Sequence, residues 1–218
     1  MALNTFAALK TAVADWAWGE VTTALVGTDF FPQVQSKMYY GDKAGGIQPL
    51  RLRQMVATAT LTPSTTGLVT ISTAVDSGWL EFIEITPTAL GARALSYLEP
   101  WDFRKRQNLL DATGVPASIY TIYGDTLEVA PPSAGTLVAA WYEKFTALSG
   151  DSDVDWVLTN APQVYLNGCL MEACAYLQDN REAEFRAKFA GAIMALNLND
   201  RNARQSGAVK VARPRVVE

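Results

Sequence analysis

The chain has 218 residues, 18 of them basic and 22 acidic, and therefore a formal charge of −4. This length suits one substantial domain or two small ones, and the acidic balance argues against a general nucleic-acid binder. The absence of histidine excludes Ser-His-Asp and Cys-His catalytic centres and histidine-containing metal sites. The two cysteines are too few for a four-cysteine zinc or iron–sulfur site. We therefore expect no metal, no cofactor and no enzymatic activity.

Two helices are predicted near the N-terminus. Asn4 or Thr5 can cap the first, whose apolar residues recur at three- and four-residue steps. These residues are Phe6, Leu9, Val13 and Trp16. The second helix follows Asp29, has Pro32 in its first turn and ends before the sequence GDKAGG. Its apolar side is formed by Phe31, Val34 and Met38.

From about residue 50 to residue 147 the sequence favours β-strands. The runs RQMVATATLT, GLVTIST and GWLEFIEIT are rich in β-branched or alternating apolar residues. The run ASIYTIYGDTLEVAPP predicts a hairpin with a type II′ turn at Gly124-Asp125. A last strand, GTLVAAWYEKF, places Leu137, Ala139 and Trp141 on one face. Residues 99–110 form the exception: EPWDFRKRQNLL predicts a short helix whose RKR run is an exposed face or, alternatively, a phosphate-binding patch.

Two acidic clusters lack the pattern of a functional site. The aspartates of DSDVDW, residues 151–156, have calcium-loop spacing, but Trp156 and Pro162 occupy positions where an EF-hand needs glycine and glutamate. An acidic loop that leads into a helix is the better interpretation. Glu81 and Glu84 could form an acid/base pair for glycoside cleavage. Because residues three apart in a regular strand face opposite sides, we expect these two carboxylates not to converge.

The stretch NAPQVYLNGCLMEACAYLQDN, residues 160–180, predicts a helix that is apolar on nearly every side. Such a helix is either buried in protein or embedded in a membrane. A membrane span needs roughly 20 predominantly apolar residues, and Asn167 and Glu172 interrupt this run. We therefore expect protein to cover the helix. Cys169 and Cys174 point in different directions on it and are predicted to be buried, inert thiols of a reducing compartment.

The helix of residues 160–178 is predicted to form an αα-hairpin with the helix that follows it. Asn160 with Gln163, and Asp179 with Glu182, have the spacing of capping pairs. The partner helix has a single apolar stripe, formed by Phe185, Phe189, Ile193 and Leu196, and a potential Glu184–Lys188 pair on the other face. This stripe covers one side of the first helix and the two N-terminal helices cover a second. The remaining side is predicted to contact a neighbouring subunit.

The C-terminal run NDRNARQSGAVKVARPRVVE, residues 199–218, has five basic and two acidic residues, a net charge of +3 that leaves −7 for the rest of the chain. It has no helical apolar stripe, and AVKVARPRVV alternates small apolar with basic residues. This pattern favours an extended segment, from about residue 203 onward, that adds to a sheet edge or groove of another protein. A disordered tail without function is the alternative.

Two long segments carry a family resemblance: GVPASIYTIYGDTLEVAPPSAGTLVAAWYEKFTALS and WVLTNAPQVYLNGCLMEACAYLQDNREAEFRAKFAGAIMAL. Their order, from a Y…GDTL…PP hairpin to the pattern P..YL.G.L.EA..YL.D and an amphipathic helix, resembles the head-to-tail adaptor, or connector, proteins of tailed bacteriophages. The similarity is to the tail tubular type of short-tailed phages and runs from about residue 93 to residue 198. The first 90 residues match only in their order of helix and strand.

The resemblance implies a structural virion protein, made in the host cytoplasm, that forms a ring at the head–tail neck. Such rings, usually of twelve subunits, join the portal to the tail tube or nozzle and let DNA pass during ejection without specific binding. The resemblance also implies a C-terminal arm that reaches along the portal. Three groups of residues are expected to serve these contacts. They are Arg204, Lys210, Val211, Arg213 and Arg215 for portal binding, Tyr165, Glu172 and Tyr176 for the subunit interface, and Glu81, Glu84, Glu128 and the 151–155 loop for a neutral or acidic channel wall.

Two other function classes remain open on the residues alone. A carbohydrate- or protein-binding module could use the six tryptophans and eight tyrosines, and a histidine-free hydrolase could use a carboxylate pair. The fold predicted is α+β, with a four-helix portion built from both chain ends and an antiparallel β portion inserted between them. Its parts are N-terminal helices (1–46), a β-rich portion (47–150) with the short helix at 99–110, a C-terminal αα-hairpin (151–198) and an extended basic arm (199–218).

Overall fold

The computed structural model describes residues 3–75, 78–89, 93–107, 117–132 and 135–205. They form two compact units, one made of the described residues up to 53 and from 146 onward and the other of those between 54 and 145. The first is helical and the second contains every strand of the described chain. The architecture is therefore α+β with the strands between N- and C-terminal helices, which confirms the predicted fold class.

The helical unit holds six of the described α-helices. They are α1 (Phe6–Trp16), α2 (Thr23–Leu25), α3 (Phe31–Tyr40), α6 (Trp156–Asn160), α7 (Pro162–Tyr176) and α8 (Glu182–Gln205), and a π-helical segment (Val26–Phe30) joins α2 to α3. A 3-10 turn (Arg53–Met55) follows later in the chain. Thr5 caps α1 by accepting a hydrogen bond from the Ala8 amide at 3.2 Å, as the sequence predicts. Trp16, expected in the apolar stripe of α1, is exposed instead.

The cap predicted for α7 does not form as expected. The residue before α7 is Ala161, which provides no side-chain hydrogen bond, and the Asn160 side chain donates to the carbonyl of Trp156. The reason is α6, the extra turn that precedes α7 and uses Asn160 as its last residue. At the start of α8, Asp179 accepts from the Arg181 amide and Glu182 pairs with Arg186, so the predicted Asp179–Glu182 pair is replaced as well.

The β unit contains two sheets and two short helices. Its elements are β1 (Val56–Leu61), β2 (Leu68–Thr70), α4 (Ile71–Ala74), β3 (Trp79–Pro87), β4 (Ser96–Tyr97), α5 (Pro100–Gln107), β5 (Ile119–Tyr123), β6 (Thr126–Ala130) and β7 (Leu137–Glu143). One sheet is antiparallel with the order β1-β7-β3, and the other has the order β2-β6-β5-β4. All pairs are antiparallel except the short parallel pair of β4 with β5.

The two sheets share one apolar core. Leu137, Ala139 and Trp141 of β7 are all buried, as their alternation predicts, and they belong to the same cluster as Leu127 and Val129 of β6. The β5–β6 hairpin turns through Gly124-Asp125, with Gly124 alone of the two at positive φ (+56°). This matches the predicted type II′ turn, in which glycine supplies the positive φ of the first central residue.

Candidate assembly surfaces

Helix α7 lies at the centre of the helical unit. It contacts α1, α3, α6, α8 and the π-helical segment, and nine of its fifteen residues are buried. Gly168 is one of them, and a Cβ at this position would lie 2.5 Å from Cγ1 of Val34, so the missing side chain lets α3 approach closely. Its own chain covers more of the helix than the sequence indicates, because α6 and the π-helical segment, which were not predicted, also pack on it. Ala175 and Tyr176 at its end remain exposed, and a contact of this side with a neighbouring subunit stays a prediction.

Tyr165, one of the expected interface residues, is fully buried inside its own subunit. Its hydroxyl donates to Asp155 Oδ2 at 2.5 Å, and its ring packs on Phe31 with the centroids 5.1 Å apart. The other oxygen of Asp155 accepts from the Leu158 amide at 2.6 Å and caps α6. Burial raises the pKa of the Asp155 carboxyl despite these hydrogen bonds. Tyr165 is thus a core residue that ties α7 to α6, and its position does not suit a subunit contact.

Glu172 is also largely covered by its own chain. Its carboxylate accepts a hydrogen bond from Lys37 Nζ of α3 at 2.5 Å, and its side chain is 8% exposed. A buried carboxylate is tolerated because a partner of opposite charge compensates the lost hydration. The pair therefore explains how an acidic residue sits on an otherwise apolar helix. Lys37 was not singled out from the sequence, and no local pattern links positions 135 residues apart.

Tyr176, the last residue of α7, is the only one of the three expected interface residues with an exposed side chain, at 63%. Its ring contacts Phe30 at 5.8 Å between centroids. Beyond the helix, the Arg181 guanidinium stacks on the exposed Trp18 ring at 3.6 Å and is held by Asp179, with Nη2 to Oδ2 at 2.8 Å. We call Tyr176, Trp18 and Arg181 the aromatic surface of the helical unit. Trp18 and Arg181 were missed because their stacking depends on where the α7–α8 turn meets the end of α1.

Glu81 and Glu84 lie on the same exposed face of the three-stranded sheet. Glu81 pairs with Tyr142 and Glu84 with Ala140, two positions of β7 that share a face, and the register of β3 shifts between Phe82 and Glu84. The expectation that they face opposite sides is wrong, because a bulge adds one residue between them. Both side chains are exposed to solvent.

The exposed face of this sheet is neutral or acidic throughout its strands. The residues paired across it are Val56, Thr58 and Thr60 of β1, Val138, Ala140 and Tyr142 of β7, and Glu81, Glu84 and Thr86 of β3. The set contains two glutamates and neither lysine nor arginine. Such a face lacks the side chains that hold phosphates.

Glu128, the third glutamate expected at a channel wall, is buried at 4% exposure. Its carboxylate accepts from the Tyr123 hydroxyl and from Gln107 Nε2 at 2.9 Å, and Arg104 lies 3.3 Å away. Burial and the Glu128 carboxylate raise the pKa of Tyr123 to about 12. Glu128 thus anchors α5 to the β5–β6 hairpin, and this buried, paired position does not suit a channel wall.

The acidic loop of residues 151–155 makes contacts inside the helical unit. The carbonyls of Asp151 and Asp153 accept the first free amides of α1, those of Ala7 and Phe6. The Asp151 side chain pairs with Lys10 at 2.6 Å. The backbone amides of Gly150 and Ser149 lower the pKa of the Asp153 carboxyl. Within the described ranges, no group of three or more acidic, cysteine or histidine side chains is placed to hold a metal ion.

The end of α8 differs from the expected arm. The helix continues to Gln205, so residues 199–205 are helical and not extended. Asp200 explains the extra turns, because it pairs with Arg204 four residues later at 2.7 Å and accepts from the Arg53 amide at 3.2 Å. Arg204, expected at the portal, is exposed beside Asp200. Lys210, Val211, Arg213 and Arg215 lie outside the described residues.

The two thiols agree with the sequence expectation. Cys169 and Cys174 are free and buried, and burial raises the pKa of both thiols, which disfavours the reactive thiolate.

The exposed tryptophans and tyrosines are divided between the two units. No helix of the described chain has the length and apolarity of a membrane span.

These features define a class of protein: an α+β protein in which Asp155, Glu172 and Glu128 join elements of its own chain. The family model of the SU10 adaptor protein matches residues 4–213. No curated protein matches the chain. The chain belongs to the SU10 adaptor protein family, and it is thus a bacteriophage head–tail adaptor, a structural component of the virion. Membership of a structural family favours a non-enzymatic role.

Proposed function

We propose that this protein forms a homo-oligomeric ring, of twelve subunits, between the portal vertex of the capsid and the tail tube or nozzle. The observation that carries the proposal is the match of the adaptor family to nearly the whole chain. An adaptor needs separate surfaces for its own copies, for the capsid side and for the tail side. The two compact units and the basic C-terminal segment supply distinct candidates for these surfaces.

The subunit contact of the ring includes Tyr176 and the rest of the aromatic surface. Large exposed aromatic side chains are enriched at protein interfaces, where they bury much area at little conformational cost. Arg181 is already oriented by Asp179 and stacked on Trp18, so little side-chain freedom is left to lose on assembly. Tyr165 and Glu172 support this contact only indirectly, by holding α7 in place.

The wall of the DNA channel is the exposed face of the three-stranded sheet that carries Glu81 and Glu84. DNA must slide through the ring, and lysine or arginine on the wall would hold its phosphates by releasing counterions. The strands of this face carry neither residue. DNA therefore passes without specific binding.

The basic C-terminal segment contacts the portal. The valines of AVKVARPRVV supply apolar contact and the basic residues steer docking. The contacts are made by Arg204, Lys210, Val211, Arg213 and Arg215. Arg204 lies in the last turn of α8, and the other four residues follow it along the chain.

Removal of residues 206–218 tests the portal contact. The helical unit keeps the Asp200–Arg204 and Asp200–Arg53 pairs in this truncation, so the melting temperature should remain within about 2 °C of the full chain. Incorporation into portal-bearing particles, measured by mass spectrometry of purified particles, should be lost. A matched control replaces Lys210, Arg213 and Arg215 by glutamine, keeps the Asp200–Arg204 pair and should weaken incorporation less than truncation. Normal incorporation of the truncated chain would refute the portal contact.

A further inference from the structure

The four outer edges of the two sheets differ in how well they are protected from pairing with another chain. Unpaired sheet edges attract further strands, and proteins block them with short strands, bulges, charges or proline. At the edges of the four-stranded sheet, β2 has three residues and β4 has two. At one edge of the three-stranded sheet, β3 has two register shifts, the charges of Glu81 and Glu84, and Pro87 at its end.

Strand β1 has none of these protections. It is six residues long, its sequence VATATL has no charge and no proline, and every residue pairs with β7 in unbroken register from Val56↔Tyr142 to Leu61↔Leu137. Among the described residues, its other side has no strand neighbour. A long, regular, uncharged edge strand is a template for strand addition.

We propose that β1 binds an extended segment of the tail-side virion protein, which adds a fourth strand to the three-stranded sheet. The proposal rests on the adaptor function proposed above, in which the C-terminal segment is engaged with the portal. The β unit is a compact unit of its own, and an adaptor must hold a second partner on the tail side.

Among the described residues, the strand edges of a second copy fit this edge poorly. A ring contact between copies is heterologous, so β1 of one copy would need a matching strand edge on the next. The other described edges are only two or three residues long or are bulged. None of them offers six residues in regular register.

The side chains of β1 indicate what the added segment is like. Val56, Thr58 and Thr60 are exposed on the sheet face shared with Glu81 and Glu84. β-Branched residues pair favourably across strands. The partner segment is therefore extended, rich in β-branched residues and uncharged on this face, which also keeps the proposed channel wall free of basic groups.

Thr60 and Thr86 provide a matched pair of variants for the test. Thr60 of β1 and Thr86 of β3 both pair with Val138 of β7, one from each side, so the two threonines lie in one row across the same face of the sheet. Thr60 belongs to the unprotected edge strand β1, and Thr86 belongs to the bulged edge strand β3. Full-length wild type, Thr60→Lys and Thr86→Lys are added to portal-bearing capsids that lack the adaptor, followed by purified tails of the same phage. Capsid binding is measured by sedimentation and tail attachment by counting tailed particles in electron micrographs.

We expect Thr60→Lys to bind capsids like the wild type but to attach tails at least about tenfold less well, because lysine blocks an edge strand. Thr86→Lys should be normal in both steps. Normal tail attachment by Thr60→Lys overturns the proposal. Loss of self-association by this variant also overturns it, because that result would assign the edge to a second copy. Loss of capsid binding overturns it as well, because that result would assign the edge to the portal. Failure of the wild type to bind capsids would refute the adaptor function itself. If Thr60→Lys melts more than about 5 °C below the wild type, Thr58→Arg on the same edge replaces it.

Discussion

Asp155 joins two helices through its two carboxylate oxygens, one at the amide of Leu158 and one at the hydroxyl of Tyr165. Burial is the largest influence on this group and raises its pKa, although the hydrogen bonds oppose the shift. The ionised form is therefore less favourable in the folded protein than in the unfolded chain. A carboxylate that fixes the position of α7 thus costs stability at neutral pH.

Replacement of Asp155 by asparagine should reveal this cost. In the wild type this destabilisation is absent below the ordinary pKa of 3.8. It grows as the pH rises through the raised pKa of the folded protein, by about 1.4 kcal/mol for each unit by which that pKa is raised. The substituted amide does not titrate, so the free energy of unfolding of Asp155→Asn relative to wild type should increase with pH over this interval. Urea denaturation at several pH values between about 3.5 and 7 measures the difference.

Replacement of Asp153 provides a control in which the pH dependence of stability has the opposite sign. Its pKa is lowered by the amides of Gly150 and Ser149, so its stabilising contribution is present above 3.8 and lost as pH falls through the folded pKa. The relative stability of Asp153→Asn should therefore decrease as pH rises. Parallel pH profiles for the two variants would contradict the roles assigned to both aspartates.

At the scale of elements, Gly168 determines how closely α3 and α8 approach α7. A Cβ there would lie 2.5 Å from Val34 Cγ1 and 3.1 Å from Phe189 Cε2. Gly168→Ala should destabilise the protein by about 1–3 kcal/mol, because overpacking outweighs the gain of about 1 kcal/mol in helix propensity. Chemical denaturation measures the change in the free energy of unfolding.

Val34→Ala tests the cause of that destabilisation. The variant removes the methyl groups that clash, so adding Gly168→Ala to Val34→Ala should cost less than adding it to the wild type. The double variant is compared with both single variants in one thermodynamic cycle. Strict additivity of the two free-energy changes would show that Val34 is not the obstacle.

Elements whose signals are local were predictable from the sequence, and elements that depend on distant contacts were not. The β5–β6 turn follows from Gly124, and the Glu184–Lys188 pair on α8, at 2.5 Å, follows from its four-residue spacing. The bulge of β3 is different, because it exists only relative to the register of β7. Without it, the alternation rule placed Glu81 and Glu84 on opposite faces.

At the scale of the whole molecule, the helix of residues 160–178 illustrates the same limit. Its apolar surface correctly predicted a buried helix, but the residues that cover it come from both ends of the chain. The Lys37–Glu172 pair likewise spans 135 residues and has no local signature. Of the three expected interface residues, the sequence could not distinguish the exposed Tyr176 from the buried Tyr165 and Glu172.

Electron microscopy of the full-length protein bound to its purified portal tests whether this adaptor closes a ring around the DNA exit channel. We expect a closed ring of twelve subunits, coaxial with the portal, with Tyr176 at subunit contacts and the Glu81–Glu84 sheet face toward the bore. Single copies scattered at the portal periphery would contradict the account, and so would a ring whose bore is lined mainly by arginine and lysine.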